Sequence, residues 1–274
     1  MEDKLSNSFL TTMVGKGVRA YKSGPEAWHG LLLAVNSDYI VLFNDKDGYI
    51  YHRTGHIKSV VADEKATIPV ANELTPHGTN EGDFDDILGN LVGEEVKINL
   101  GGPESRKGRL LGVNGDYLTL FAGKEGVIYY NLDHVKSISV KVKATAADND
   151  NDKENDKEEK KENDTGRMEE NQIVSFIDVN SLNRLFKQLK YSYVMINRGP
   201  EAVEGILVDV KDNLITLVFH DQVLRVNRNH VKSIREKMSQ GNNNSDNNNQ
   251  NDNQNSGRSI VSAKKKQQDR KRKI

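Results

Sequence analysis

The sequence predicts a mainly β protein made of three tandem small barrels, each with a short N-terminal helix and about five strands. Three observations predict this fold class. Two unusual motifs occur three times at nearly constant spacing, short runs of alternating apolar residues follow, and polar tracts separate the occurrences. Because only 35% of the 274 residues are hydrophobic and 29% are charged, several small cores with solvated connectors fit this chain better than one large core.

The first motif, GPExxxG, combines a proline that presets φ with glycines that tolerate unusual dihedral angles, which is typical of a structural turn. It consists of Gly24, Pro25, Glu26 and Gly30, then Gly102, Pro103, Glu104 and Gly108, then Gly199, Pro200, Glu201 and Gly205. The second motif, HxKS, is predicted to start the last strand of each repeat. It consists of His56, Lys58 and Ser59, then His134, Lys136 and Ser137, then His230, Lys232 and Ser233. The two motifs lie 32, 32 and 31 positions apart, which chance does not explain.

A short helix is predicted ahead of the strands of each repeat. In the second repeat the apolar residues fall at i, i+3, i+4 and i+7, with Asp83 as the N-cap and Gly93 as the stop. These apolar residues are Phe84, Ile87, Leu88 and Leu91. The third repeat has the same face after Asn180, formed by Leu182, Leu185, Phe186 and Leu189. The first repeat has only a stub, with Phe9, Leu10, Met13 and Val14 before Gly15.

Five short strands follow the helix, as the second repeat illustrates. Residues 96–100 alternate between apolar and polar, which is typical of a half-buried strand. Gly108 begins the next strand, and Asn114-Gly115-Asp116 predicts a hairpin turn to the strand at 117–121. Further strands are predicted at 127–130 and 135–140. A sheet this small must bend and close on itself, as Sm-like and SH3-like barrels do, and the order of elements is most similar to the Sm-like arrangement.

The repeats define the domain boundaries. Repeat 1 is predicted at 8–62, repeat 2 at 82–142 and repeat 3 at 173–238. A mild linker at 63–81, an acidic linker at 143–172 and an Asn-rich, then basic tail at 239–274 are predicted to be disordered. The basic part of the tail, Lys264–Lys273, is interpreted as a solubilising tail, the alternative being that it docks on an acidic partner.

Composition excludes several classes of function. The absence of cysteine excludes disulfides, thiolate zinc sites and cysteine nucleophiles. A net charge of −1 argues against a protein that binds nucleic acid through its overall charge. The first residues do not resemble a signal peptide, and no apolar run is long enough to span a bilayer, so we expect synthesis in the cytosol, no secretion and no membrane partner.

The repeated polar and aromatic residues admit functional interpretations. The histidines of HxKS could bind a metal and the glutamates of GPE could form a carboxylate pair, but each occurs once per repeat, whereas such sites need ligands close together. Nucleic-acid bases could stack on Tyr39, Tyr117, Tyr129 and Tyr130, although strand aromatics usually pack in a core. We therefore predict no catalytic, metal-binding or cofactor-binding residue, no cofactor and no enzymatic activity.

The runs GGPESRKGRL at 101–110 and RGPEAVEGIL at 198–207, together with the three HxKS endings, resemble the spore coat protein CotB family of endospore-forming bacilli. The resemblance covers roughly residues 8–236. It implies a structural component of the outer spore coat, made in the mother cell cytoplasm, whose partners are other coat proteins, itself included. The tail departs from the serine- and lysine-rich tracts of the family, being rich in asparagine and then basic.

The predicted function is therefore a non-enzymatic structural role in the spore coat through multivalent protein–protein contacts. Linked weak contacts raise avidity, and edge strands of small barrels can add to one another across chains. The alternative is an Sm-like RNA-binding protein. Sm-like uridine pockets use an Arg-Gly pair near the last strand, where this chain has Asn131-Leu132-Asp133.

Overall fold

The structure, a computed structural model, describes residues 7–20, 27–62, 82–141 and 174–237. The two predicted linkers, 63–81 and 143–172, and the predicted tail at 239–274 with Lys264–Lys273 lie outside the described residues. The first GPE motif, Gly24, Pro25 and Glu26, also lies outside them.

Each repeat consists of one short helix followed by five strands. Repeat 1 contains α1 (Asn7–Thr11), β1 (Gly17–Ala20), β2 (Trp28–Val35), β3 (Tyr39–Asn44), β4 (Gly48–Arg53) and β5 (Val60–Ala62). Repeat 2 contains α2 (Phe84–Asn90), β6 (Glu95–Ile98), β7 (Arg106–Asn114), β8 (Tyr117–Phe121), β9 (Val127–Asn131) and β10 (Ser137–Val140). Repeat 3 contains α3 (Leu182–Gln188), β11 (Tyr193–Ile196), β12 (Val203–Lys211), β13 (Leu214–Phe219), β14 (Gln222–Asn227) and β15 (Ser233–Glu236).

The strands of all three repeats form one antiparallel sheet of 15 strands. Within every repeat the first strand lies between the second and the fifth, and the fourth strand is at the far edge. The fifth strand of each later repeat pairs with the fourth strand of the repeat before it, so that β10 pairs with β4 and β15 pairs with β9. The predicted mainly β class is confirmed. The joining of the repeats through strand pairing was not predicted.

The helices begin where side chains satisfy their free N–H groups. The predicted N-cap Asp83 accepts hydrogen bonds from the backbone N–H groups of Asp85 and Asp86, and the Asp86 side chain accepts one from the Asp83 N–H. In α3 the hydroxyl of Ser181 caps the helix by accepting from the Arg184 N–H. The predicted apolar faces of both helices are buried.

The second strand of each repeat bends at the same place. The register of its pairing with the third strand shifts between Leu110 and Gly112 in repeat 2, and β-bulges stand at the equivalent positions of β2 and β12. Bulges increase the local twist and bend of a strand. The predicted hairpin is also confirmed, since Asn114 pairs with Tyr117 across a two-residue turn in which Gly115 has a φ of 49°.

The hydrophobic cores are shared between neighbouring repeats. In β3, Ile40 and Leu42 pack in the core of repeat 1, whereas Tyr39, Val41 and Phe43 belong to the cluster that contains α2 and the strands of repeat 2. The alternation of side chains along a strand places these two sets on opposite faces of the sheet. A third cluster joins two tyrosines of repeat 2 to repeat 3 in the same way.

Candidate functional site

The candidate functional surface lies where consecutive repeats meet. Junction 1–2 is formed by β10 and β4, and junction 2–3 by β15 and β9. Ser137 pairs with His52 in the first, and Ser233 pairs with Tyr130 in the second. These are equivalent positions of the repeat, so both junctions have the same register.

Backbone hydrogen bonds show the same equivalence. The Arg53 N–H donates to the Lys136 carbonyl at 3.0 Å, and the Asn131 N–H donates to the Lys232 carbonyl at 3.0 Å. At junction 2–3 the Asn131 carboxamide also donates to the Val231 carbonyl at 3.1 Å. The chain therefore forms the same contact between consecutive repeats twice.

Aromatic side chains fill both junctions. Tyr39 lies edge-on to Phe84 of the next repeat, with 6.3 Å between ring centroids. The hydroxyl of Tyr117 donates to the Val179 carbonyl at 2.7 Å, and the hydroxyl of Tyr129 accepts from the Ile177 N–H at 2.8 Å. These three tyrosines and Tyr130 are buried, which leaves no ring face open for stacking on a base. Burial raises the pKa of Tyr129.

A carboxylate from one repeat meets the helix N-terminus of the next repeat at each junction. The Phe84 N–H donates to the Asp38 carboxylate at 3.1 Å, and the Leu182 N–H donates to Asp116 at 2.6 Å. Such a carboxylate satisfies a donor that has no partner within the helix. Burial raises the pKa of Asp38, and the Phe84 N–H only partly offsets this effect.

Opposite charges also meet at both junctions. At junction 2–3, Glu125 accepts from the Arg106 Nε at 2.8 Å, accepts from Arg198, and lies 3.7 Å from an Arg235 nitrogen. Burial alone would raise the pKa of Glu125, but the hydrogen bond from Arg198 and the charges of the three arginines lower it. At junction 1–2 the equivalent acid, Asp47, lies 3.4 Å from the Lys97 ammonium.

The described GPE turns lie at junction 2–3. Gly102 and Gly199 have φ values of 85° and 64°, in the region that favours glycine. A Cβ on Gly199 would lie 2.8 Å from the Cβ of Pro103, so the two turns are in contact. The next residue of the third motif, Pro200, lies in a 3-10 turn at Gly199–Glu201.

The two described glutamates of GPE, Glu104 and Glu201, contact side chains of HxKS motifs. The Ser233 hydroxyl donates to Glu104 at 2.7 Å across junction 2–3. The Lys232 ammonium lies 2.6 Å from the Glu201 carboxylate and lowers its pKa. Each glutamate therefore holds part of an HxKS motif in place.

The last glycine of each GPExxxG motif allows two strands to approach closely. A Cβ on Gly30, Gly108 or Gly205 would lie 2.6, 2.2 or 2.7 Å from a carbonyl oxygen of the neighbouring strand. No side chain fits at that distance. These glycines have a packing role in the second strand.

The HxKS motif forms a 3-10 turn followed by the last strand. His56, His134 and His230 each end such a turn. The ring of His134 lies 2.9 Å from the Asn229 carbonyl of the next repeat. Within the described ranges, no group of three or more potential ligands is close enough to hold a metal ion.

The environment of the motif differs between the repeats. Ser137 and Ser233 are buried and begin β10 and β15, whereas Lys58 and Ser59 are exposed and precede β5. The backbone N–H groups of Lys136 and Lys232 donate to asparagine side chains at 2.8 and 2.7 Å.

Those asparagines were missed by sequence reasoning. Asn99 and Asn197 are buried, have φ values of 50° and 57°, and tie the end of the first strand to the HxKS segment. Their position just ahead of the GPE turn in repeats 2 and 3 could have identified them, because asparagine tolerates positive φ better than most residues. Glu125 and Asp116 were missed because two of the three arginines around Glu125, and the Leu182 N–H that donates to Asp116, lie in the next repeat.

A recess lies at junction 1–2. It has a volume of about 350 Å³ and is lined by residues that include Asp47, Lys97 and Ser139. Within the described ranges, none of the helices has the length and apolar character that a bilayer-spanning helix requires.

Comparison with known proteins identifies the family. No family model matches the chain. Spore coat protein B of Bacillus subtilis (strain 168) is 39% identical over 232 residues, which cover 83% of this chain. The chain spans about half of that relative's length, 54%. The predicted resemblance is confirmed, and the chain belongs to the spore coat protein B family.

Proposed function

We propose that the chain is a non-enzymatic structural component of the spore coat that acts through multivalent contacts with other coat proteins. Its location in the spore coat follows from its family. The observation that carries the proposal is that the same junction between repeats occurs twice in the described part of the chain. A chain organised in this way offers several similar surfaces to its neighbours at once, which raises avidity without new chemistry.

The architecture proposed for this role is three Sm-like open barrels at 8–62, 82–142 and 173–238. The common strand order and the bulge in every second strand support it. In this proposal the segments 63–81 and 143–172 connect the repeats. The basic residues Lys264–Lys273 provide a further contact with an acidic partner.

The contacts of the repeated polar residues support a structural role over a catalytic one. Glu104 holds Ser233, Glu201 holds Lys232, and His134 contacts Asn229. A general base or nucleophile needs a partner in a cleft that a substrate can enter. The polar groups of the motifs instead meet one another between and within the repeats.

The first experiment is immunolabelling of intact, washed spores, with vegetative cells as the control. We expect label on the spore surface. Label confined to the cytoplasm of growing cells would contradict the coat role.

A binding assay tests the multivalent part. Spores that lack the protein are incubated with the full chain, with residues 1–142 or with residues 82–142, each checked for folding by circular dichroism. We expect the apparent affinity to fall by about tenfold or more between the full chain and the single repeat, because linked contacts act together. Equal affinity of the single repeat would contradict this part of the proposal.

RNA binding by the same preparations distinguishes the alternative function. Phosphate contacts make affinity fall steeply with salt. A salt-sensitive affinity for RNA that survives deletion of residues 258–274 would favour the Sm-like RNA-binding alternative.

A further inference from the structure

The strands at the two outer edges of the sheet occupy the same positions in their repeats as the strands that form the internal junctions. In the described part of the chain these outer strands lack a partner at the edge. The sheet begins with β14, the fourth strand of repeat 3, and ends with β5, the fifth strand of repeat 1. In the described part of the chain neither outer edge is paired with another strand. A fourth strand and a fifth strand are the pair that meets at both internal junctions.

The exposure of these strands matches the loss of a partner. Five of the six residues of β4 and four of the five in β9 are buried, whereas no residue of β14 is buried. Every residue of β10 is buried, whereas none of β5 is. The strands have equivalent positions in their repeats, so the difference arises from the neighbour.

Apolar side chains are exposed at both ends where the junctions bury them. At the repeat 1 end, Phe9 is 57% exposed, whereas the equivalent residues Ile87 and Leu185 of α2 and α3 are fully buried. At the repeat 3 end, Leu214 is 44% exposed, whereas the equivalent Tyr39 is fully buried. These residues occupy the two sides of a junction, and each lacks the other side.

Each outer strand also exposes a valine. Val61 of β5 is 62% exposed and Val223 of β14 is 60% exposed. Long exposed edges are normally blunted by charge or by short strands. Shortness does not prevent pairing in this protein, because β10 pairs on both sides with only four residues.

We propose that β14 of one chain pairs antiparallel with β5 of a second copy, in the register of the internal junctions. This inference rests on the proposed structural role and identifies the chain itself as one partner. The internal register places Val60 opposite Arg225 and Ala62 opposite Val223, as Ile138 lies opposite Tyr51 and Val140 opposite Tyr49 at junction 1–2.

Polar contacts of the internal junctions have counterparts at this contact. Asp221 stands at the position of Asp47, and Arg19 stands at the position of Lys97, its partner. Glu201 stands at the position of Glu104, whose partner Ser233 corresponds to Ser59. The contact is heterologous, so it repeats from chain to chain and gives either closed rings or open filaments.

Disulfide cross-linking tests the register, because the natural chain contains no cysteine. Full chains carrying Ala62→Cys are mixed under mild oxidation with full chains carrying Val223→Cys and a mass tag. Directly opposite residues of an antiparallel pair lie about 5 Å apart at Cα, within the range of a disulfide. The matched control replaces Val223→Cys with Val92→Cys, at a valine that is 44% exposed in repeat 2.

We expect the mixed disulfide of Ala62→Cys with Val223→Cys to form about tenfold faster or more than the control disulfide, because the pairing holds the thiols together. Equal rates in the two mixtures would overturn the proposal.

Analytical ultracentrifugation of Val61→Lys gives a second, independent test. Because Val61 is exposed, the substitution leaves the core of repeat 1 intact, but it places a charge on the pairing edge. We expect the unsubstituted chain and Val92→Lys to self-associate and Val61→Lys to sediment as a monomer. A monomeric unsubstituted chain, or a Val61→Lys chain that associates equally well, would contradict the inference.

The two proposals fail separately. A chain that binds coat-deficient spores with avidity but stays monomeric in solution contradicts only the self-association. A chain that self-associates but is absent from the spore surface contradicts the coat role.

Discussion

At the scale of single residues, Glu125 is the centre of a network of charged side chains at junction 2–3. It contacts one arginine of its own repeat and two arginines of the next. We predict that Glu125→Gln lowers the free energy of unfolding by about 1–2 kcal/mol, because the network loses its charge but keeps an acceptor. Urea unfolding at neutral pH measures the change. Glu95→Gln, at an exposed glutamate of β6, is the control and is expected to have little effect.

The lowered pKa of Glu125 gives this effect a pH dependence. A carboxylate with a lowered pKa stabilises the fold fully above the pKa of the unfolded chain, about 4.3 for glutamate. This stabilisation is lost as the pH falls through the lower pKa of the folded state. We therefore predict that the difference in unfolding free energy between the natural chain and Glu125→Gln shrinks as the pH falls below about 4.3. A difference that stays constant in urea titrations from neutral to acid pH would contradict the assigned network.

Gly108 of the GPExxxG motif is required for packing and has no chemical role in this structure. Because its Cβ would lie 2.2 Å from the Phe121 carbonyl oxygen, we predict that Gly108→Ala destabilises the chain by about 1–3 kcal/mol, the usual cost of overpacking. Gly89→Ala is the matched control, since no atom lies within 4 Å of its added Cβ and alanine favours a helix. We therefore expect the midpoint of thermal unfolding to fall for Gly108→Ala and to rise for Gly89→Ala.

At the scale of elements, α3 depends on the preceding repeat for part of its N-terminal capping. We predict that Asp116→Ala costs about 1 kcal/mol, as loss of a helix cap usually does, because the Leu182 N–H loses its acceptor. Hydrogen exchange should speed up at the first turn of α3. Asp133→Ala, an exposed aspartate in a 3-10 turn of the same repeat, should leave α3 unchanged. Equal effects of the two variants would argue against capping across the junction.

The helices and the hairpin of repeat 2 could be predicted because their signals are local. The capping aspartate of α2 and the Asn-Gly turn between β7 and β8 each depend on neighbouring residues. The pairing of β10 with β4 joins residues that are more than 80 positions apart. Alternation in each strand indicates which side chains share a face, but it does not identify the neighbouring strand.

At the scale of the whole molecule, shared cores make the repeats cooperative. We predict that Tyr129→Ala costs about 3–5 kcal/mol, the range for removing a large buried aromatic side chain. Hydrogen exchange should increase in residues 174–237 more than in 27–62, because Tyr129 packs in the cluster shared with repeat 3. Tyr191→Ala, at a tyrosine that is 73% exposed, is the control. A uniform increase over all repeats would show that junction 2–3 does not couple the repeats in this way.

The sequence by itself determined the threefold repeat, the mainly β class and the family, because these depend on local patterns and on motifs such as GPExxxG. The tertiary structure decided that the repeats share one sheet, that Glu104 and Glu125 act across a junction, and that Val61 and Val223 are exposed at its two ends. The physical reason is that edge pairing and charge contacts join residues remote in sequence, and a repeat contains no local signal that distinguishes an edge with a partner from one without.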